Sequence, residues 1–153
     1  MWITGNHTSL LAMRHKAYIF DFDGTLVHSN KLKRDAFYML SEDIKKNQAI
    51  IDQVLKAIPE SSRFEIIAEI HKLITISSGR VFTEQAIRSA TDVYNSLVRT
   101  GIMACPELNG ATTLLTALNN AGKPVYISSN TPEEFLGELI EARKWDHLIE
   151  GYY

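Results

Sequence analysis

The spacing between two strand-like runs constrains this chain more than any other feature of it. The first run is Tyr18-Ile19-Phe20-Asp21-Phe22-Asp23-Gly24-Thr25-Leu26-Val27. Its β-type residues end in two carboxylates spaced two apart, followed at once by Gly-Thr. Residues i and i+2 of a strand point to the same side. Asp21 and Asp23 therefore face one site if strand geometry holds through Asp23. Gly24 lets the chain turn sharply just after them. Asp and Gly are also ordinary turn residues, so the same letters read as a plain exit turn. Ionised carboxylates repel each other, however, and a turn has no need of two of them beside an apolar strand.

The second run, Pro124-Val125-Tyr126-Ile127-Ser128, follows about a hundred residues later, within the reach of one ordinary domain. Its proline is acceptable at the first position of a strand. The run leads into Ser129-Asn130-Thr131-Pro132. Thr131-Pro132-Glu133-Glu134 reads as a helix start, with Thr131 as N-cap and Pro132 at the first helical position. A helix N-terminus also binds phosphate through its free N–H groups, so a structural and a binding reading coexist here.

Between the two runs the pattern is helical. Leu32, Ala36, Phe37, Leu40 and Ile44 fall on one helical face, as do Ile50, Ile51, Val54, Leu55 and Ile58. Ser62-Arg63-Phe64-Glu65 is a capping-box pattern opening a third helix, with Phe64, Ile67, Ala68, His71 and Ile74 along one side. Gly79 marks a break. Thr83 caps a fourth helix carrying Ile87, Ala90, Tyr94, Leu97 and Val98, which Gly101 ends. These stripes read as core. Two parallel strands are normally joined through one crossover helix, so four helices imply an insertion. Further on, a helix with Leu114, Leu115 and Leu118 ends at Gly122, and another holds Phe135, Leu136, Leu139 and Ile140.

The 153 residues suffice for one domain with a real core. A net charge of −2 without a basic block excludes a nucleic-acid surface. No apolar run reaches membrane-spanning length. Met1 to Leu11 lack the basic start and long apolar stretch of a signal peptide, which points to the cytoplasm. Residues 1–16 read as a poorly ordered extension, and Met13 offers an alternative start. Asn6-His7-Thr8 matches a glycosylation sequon, discounted without a secretory signal. The single cysteine, Cys105, reads as a small apolar filler.

Asp21-Phe22-Asp23-Gly24-Thr25-Leu26-Val27 resembles the first motif of the haloacid dehalogenase superfamily. The strand ending at Ser129 resembles its second motif, in which a Ser or Thr hydroxyl holds the substrate phosphate. The resemblance runs from about Ala17 to the C-terminus, and the pattern is similar to cap-bearing members near phosphoglycolate phosphatase and β-phosphoglucomutase. It implies an α/β fold, an incomplete Rossmann-like parallel-sheet core at 17–29 and 100–153 with an inserted α-helical cap at 30–99.

The resemblance also implies a magnesium-dependent phosphomonoester hydrolase acting on a small phosphorylated metabolite through an aspartyl-phosphate. Asp21 would be the nucleophile and a Mg2+ ligand. Asp23 would be the acid and base, and a ligand through its backbone carbonyl. Ser129, Asn130, Gly24 and Thr25 would bind the phosphate. Halide-releasing members need no leaving-group acid, so Asp23 favours phosphate chemistry. Two later family motifs, a lysine and a pair of magnesium-binding acids, have no match. Lys123, Lys144 and Asp146 fall in the wrong order or context, and His28 stands where close relatives carry an acid. Little or no turnover is therefore expected of this chain alone, with a non-catalytic phosphate-binding remnant and a phosphomutase fragment as the other readings. Arg63 reads as an exposed helix-start residue or a cap contact to substrate. The first strand would lack one neighbour, exposing an edge through which copies could associate.

Overall fold

The computed structural model describes residues 15–59, 61–79 and 83–153. The extension to residue 14, Met13 and the sequon lie outside those described. In chain order the elements are β1 (Tyr18–Asp21), α1 (Asn30–Tyr38), α2 (Ile44–Ala57), α3 (Arg63–Ser78), α4 (Glu84–Ile102), α5 (Ala111–Asn120), β2 (Val125–Ser128), α6 (Glu133–Ala142), a 3-10 turn at Asp146–Leu148 and β3 (Gly151–Tyr152). They form two compact units. One comprises the residues up to Asn30 together with Met103–Tyr153, and the other is Lys31–Ile102.

The α/β unit carries a parallel sheet in the order β1-β2-β3. This is the Rossmann-like parallel arrangement that the family resemblance implies. Tyr18 pairs with Val125, Phe20 with Ile127 and Asp21 with Ser128, while Ile127 pairs with Tyr152. The short β3 has no strong signal in the sequence. Val125 and Ile127 are fully buried. α5 and α6 supply Leu115, Leu118, Leu136 and Leu139 to the same core, and Trp145 closes it. The Trp145 indole N–H donates to Thr112 Oγ1 at 2.7 Å, which satisfies its one polar atom. Its ring meets Phe22 edge-on, centroids 6.4 Å apart. Ile19 is 62% exposed, and among the described residues β1 has a sheet neighbour on one side only.

The helical unit is built from α1 to α4 around Ala36, Phe37, Ile51, Val54, Ile67, Ile70, Tyr94 and Val98. Phe37 and Tyr94 stack at 4.6 Å. The capping box forms: Ser62 Oγ accepts from Glu65 N–H at 3.3 Å, and the Glu65 carboxylate accepts from Ser62 N–H at 2.8 Å. Three details correct the helical pattern. Ile44 opens α2 instead of continuing α1 and is exposed. The buried side of α3 is Ile66, Ile67 and Ile70, while Phe64 stays 45% exposed. α3 packs against both α2 and α4, so burial spreads beyond a single stripe. Gly101 lies inside α4 and does not end it. A Cβ there would come within 2.6 Å of Leu32 Cδ1, so glycine permits a close approach.

Candidate active site

The site is assembled where β1 and β2 end. β1 stops at Asp21, so the i, i+2 argument does not extend to Asp23. A tight loop brings Asp23 into place instead. Leu26 and Val27 both donate their N–H to Phe22 O, at 3.0 and 3.1 Å, and Gly24 N–H donates to Val27 O at 2.7 Å. Gly24 has φ +73°, and a Cβ there would lie 2.1 Å from Asn30 Nδ2. Positive φ and close approach both require glycine. Phe22, between the two carboxylates, is fully buried and anchors the loop from below.

The two carboxylates have different surroundings. Asp21 is exposed at the strand end, in register with Ser128. Asp23 is half-buried and surrounded by hydroxyls. Ser29 Oγ donates to Asp23 Oδ1 at 2.6 Å. Thr131 Oγ1 and Ser129 Oγ approach Oδ2 at 3.3 and 3.4 Å. A carboxylate only accepts, so these hydroxyls are its donors. Thr131 N–H in turn donates to Ser129 Oγ at 3.1 Å, and Ser129 N–H donates to Tyr153 O at 3.0 Å. β2 thus delivers Ser129 to the carboxylate that β1 and its loop present.

The structure brings Asp23 and Ser129 together, with Asp21 at the adjoining strand end. Asn130 and Thr25 are exposed, and the Gly24 amide is spent within its own loop. Lys123 lies before β2, at the end opposite Ser129, and lines a separate cleft with Tyr126 and His147. Lys144 follows α6 with φ 57°.

Three residues escape a sequence reading. Ser29 sits in a polar stretch before α1 and carries no signal beyond that of a helix-start residue. Thr131 reads as a helix cap, but α6 starts at Glu133 with Pro132 as its cap, and no side chain caps it. The Thr131 side chain is buried and turned to Asp23 because a tertiary acceptor is within reach. The third is Arg143. Its guanidinium donates to Leu139 O and to Cys105 O, both at 3.1 Å, and lies over the Phe22 and Trp145 rings at 5.6 and 5.9 Å. Burial lowers the Arg143 pKa from its usual value, although an arginine stays charged regardless. Burial also pushes the Cys105 thiol up, with Arg143 opposing and Asp23 reinforcing the shift, so Cys105 is held as the thiol. That suits a filler and not a nucleophile.

Among the described residues no group of three or more His, Cys, Asp or Glu is placed to hold a metal. Asp21 and Asp23 are the hard oxygen donors the site offers. Mg2+ commonly uses one or two carboxylates, completing its shell with water and substrate phosphate, so this donor set fits it.

A family model described as haloacid dehalogenase-like hydrolase matches residues 15–152. No curated protein matches. Among solved structures, the chain is similar to the HAD-hydrolase YfnB from Bacillus subtilis, described as bound to magnesium, with TM-score 0.64 and 14% identity, covering 92% of this chain and 65% of that one. A phosphoglycolate phosphatase predicted for Haemophilus somnus gives TM-score 0.58 and 17% identity, covering 90% and 61%. A HAD family hydrolase from Deinococcus radiodurans, with bound phosphate and sodium, gives TM-score 0.56 and 20% identity, covering 90% and 57%. At these identities the likeness carries the fold. The chain spans less than two thirds of each of these structures. No described helix is long and apolar enough to cross a membrane.

Proposed function

The chain belongs to the haloacid dehalogenase-like hydrolases, and from that premise we propose that its site serves magnesium-dependent hydrolysis of a small phosphorylated metabolite in the cytoplasm. One observation carries the reading: an exposed carboxylate, Asp21, stands beside a hydroxyl-bound one, Asp23, which is joined in turn to Ser129. A nucleophile must be open to its substrate, whereas an acid–base group gains from being held in place.

In this mechanism an Asp21 oxygen forms a bond to phosphorus while the bond from phosphorus to the leaving oxygen breaks. Asp23, entering the cycle in its protonated form, gives that oxygen its proton, so an alcohol departs and an aspartyl-phosphate remains. Asp23 then takes a proton from water as the water oxygen attacks phosphorus. Phosphate leaves and Asp21 is regenerated. The Ser129 hydroxyl holds a phosphate oxygen throughout, with Asn130, Gly24 and Thr25 as further proposed contacts. Asp21 and Asp23 would hold Mg2+, which would supply the charge that lets an anionic nucleophile meet an anionic substrate. We assign the helices of Lys31–Ile102 the role of the family's substrate-selecting cap, and the edge of β1 that has no strand neighbour among the described residues the role of a self-association surface.

Assay with Mg2+ and an aryl phosphate tests this reading. Slow release at most is expected, lost in Asp21→Asn and on chelation; robust turnover abolished by Asp21→Asn would overturn that expectation. Tight phosphate binding with no release at any Mg2+ concentration would identify a binding remnant instead. Phosphoryl transfer from a sugar bisphosphate without net release would identify a mutase.

A further inference from the structure

Ser29 and Thr131 are the two buried polar side chains among the described residues, at 0% and 6% exposure, and both turn their hydroxyls to one carboxylate. We propose that they are positioning residues that clamp Asp23. The proposal rests on the assignment of Asp23 as the acid–base group and adds to it the means by which that group is aimed.

A buried hydroxyl is costly unless it is hydrogen-bonded. Either residue could have met that need locally. Thr131 stands just before α6, where a threonine side chain commonly caps the helix, yet α6 has no side-chain cap. Ser29 lies only 3.4 Å from Val27 O, but its short bond, at 2.6 Å, goes to Asp23. Ser29 therefore favours Asp23 over nearby backbone, and the Thr131 hydroxyl reaches the same carboxylate. They also take opposite oxygens, Ser29 on Oδ1 and Thr131 on Oδ2. Two donors on the two oxygens fix the rotation of the carboxylate plane as well as its position.

Thr131 has a second task. Its N–H donates to Ser129 Oγ while its hydroxyl donates to Asp23. One residue thus sets the spacing between the acid–base group and the phosphate ligand. Of these hydroxyl contacts to Asp23, that of Ser129 is the longest, at 3.4 Å. Its single hydroxyl proton can pass to a phosphate oxygen, while Ser29 and Thr131 continue to hold Asp23. The clamp and the phosphate ligand are separable parts of one cluster.

The test uses the whole chain with its aspartates labelled with 13C at the side-chain carboxyl. The Asp21 and Asp23 resonances are assigned by Asp21→Asn and Asp23→Asn. Ser29→Ala, and Thr131→Val, which keeps the shape and deletes the hydroxyl, are expected to shift and broaden the Asp23 resonance and leave that of Asp21 in place. Thr131→Ser, which restores a hydroxyl, is expected to return it. In the turnover assay both deletions lower kcat by about a hundredfold at unchanged KM, the scale of a small misplacement of a reacting group. An Asp23 resonance that ignores both deletions overturns the clamp, as does Thr131→Ser behaving like Thr131→Val. If Ser29→Ala fails to fold, the Thr131 pair decides alone. Resonances that respond as stated in a protein that transfers phosphate from a sugar bisphosphate without net release uphold the clamp and overturn the phosphatase reading instead.

Discussion

Replacing Arg143 by alanine removes a group that ties the end of α6 to the Cys105 segment and to the Phe22 loop. The guanidinium donates to Leu139 O at the end of α6 and to Cys105 O on the approach to α5, and it covers the Phe22 and Trp145 rings. Leaving the Cys105 carbonyl without its charged donor costs about 1 kcal/mol, the low end for a group that water can partly reach. Two partly buried cation–π contacts add about 0.5–1 kcal/mol each. The expected loss is therefore about 2–3 kcal/mol. Arg143→Lys keeps the charge but loses the planar fork and most of the stacking, so it forfeits about half of that. The assay is urea unfolding followed by fluorescence of Trp145 in a Trp2→Phe background, which leaves it the sole tryptophan. The midpoint should fall for alanine, and by less for lysine. Because Phe22 lies between Asp21 and Asp23, catalytic turnover should fall with the alanine change even at urea-free, fully folded conditions. A loss under about 0.5 kcal/mol, the scale of an ordinary surface substitution, would refute the reasoning. It would mean that the rings and the loop hold themselves without the cation.

Two other outcomes follow from local chemistry. Ser62→Ala removes the capping box of α3 and should cost about 1 kcal/mol in the stability of the helical unit, read by helical CD during unfolding. Hydrogen bonds from the Ser62 side chain and then its backbone hold the Glu65 carboxyl below the usual carboxylate range. A depressed folded-state pKa stabilises above the unfolded pKa, and that benefit is lost as pH falls through the folded one. The Ser62→Ala penalty should thus be full at neutral pH and shrink on acidification; a penalty independent of pH would show that the Glu65 carboxylate takes no part. Ile19→Lys puts a charge on the exposed side of β1, a common way to block pairing at a strand edge. Sedimentation should show self-association of the unmodified chain and a monomer for the variant, both folded; an unmodified chain that stays monomeric at every concentration would rule out the edge as a self-association surface.

The parts legible in the sequence are those whose cause is local. Strand propensity and the Asp-Gly-Thr turn mark β1 and its exit. Two strand-like runs separated by helical stripes imply a parallel sheet with an insertion, and β1 and β2 do pair in parallel. Ser62 and Glu65 lie three residues apart, within one helical turn, so their capping box can be read from four letters. Periodicity placed most helices, but it erred where burial came from two sides, as in α3, or where glycine served packing instead of termination, as at Gly101.

What surrounds Asp23 was not legible, because its partners are remote or ambiguous. Thr131 lies 108 residues along the chain from Asp23, and its letters favour a helix cap. Ser29 is near in sequence, but only the return loop at Gly24 turns its hydroxyl inward. Arg143 looks like any charged residue at a helix end until Phe22 and Trp145 are set beneath it. By itself the sequence determined most of the elements and their order, and it singled out Asp21 and Asp23 as candidate site residues, since propensity and motif spacing belong to single residues and short runs. The tertiary structure decided which carboxylate is held and which is open. That distinction depends on burial and hydrogen-bond partners, which exist only once distant segments have been brought together.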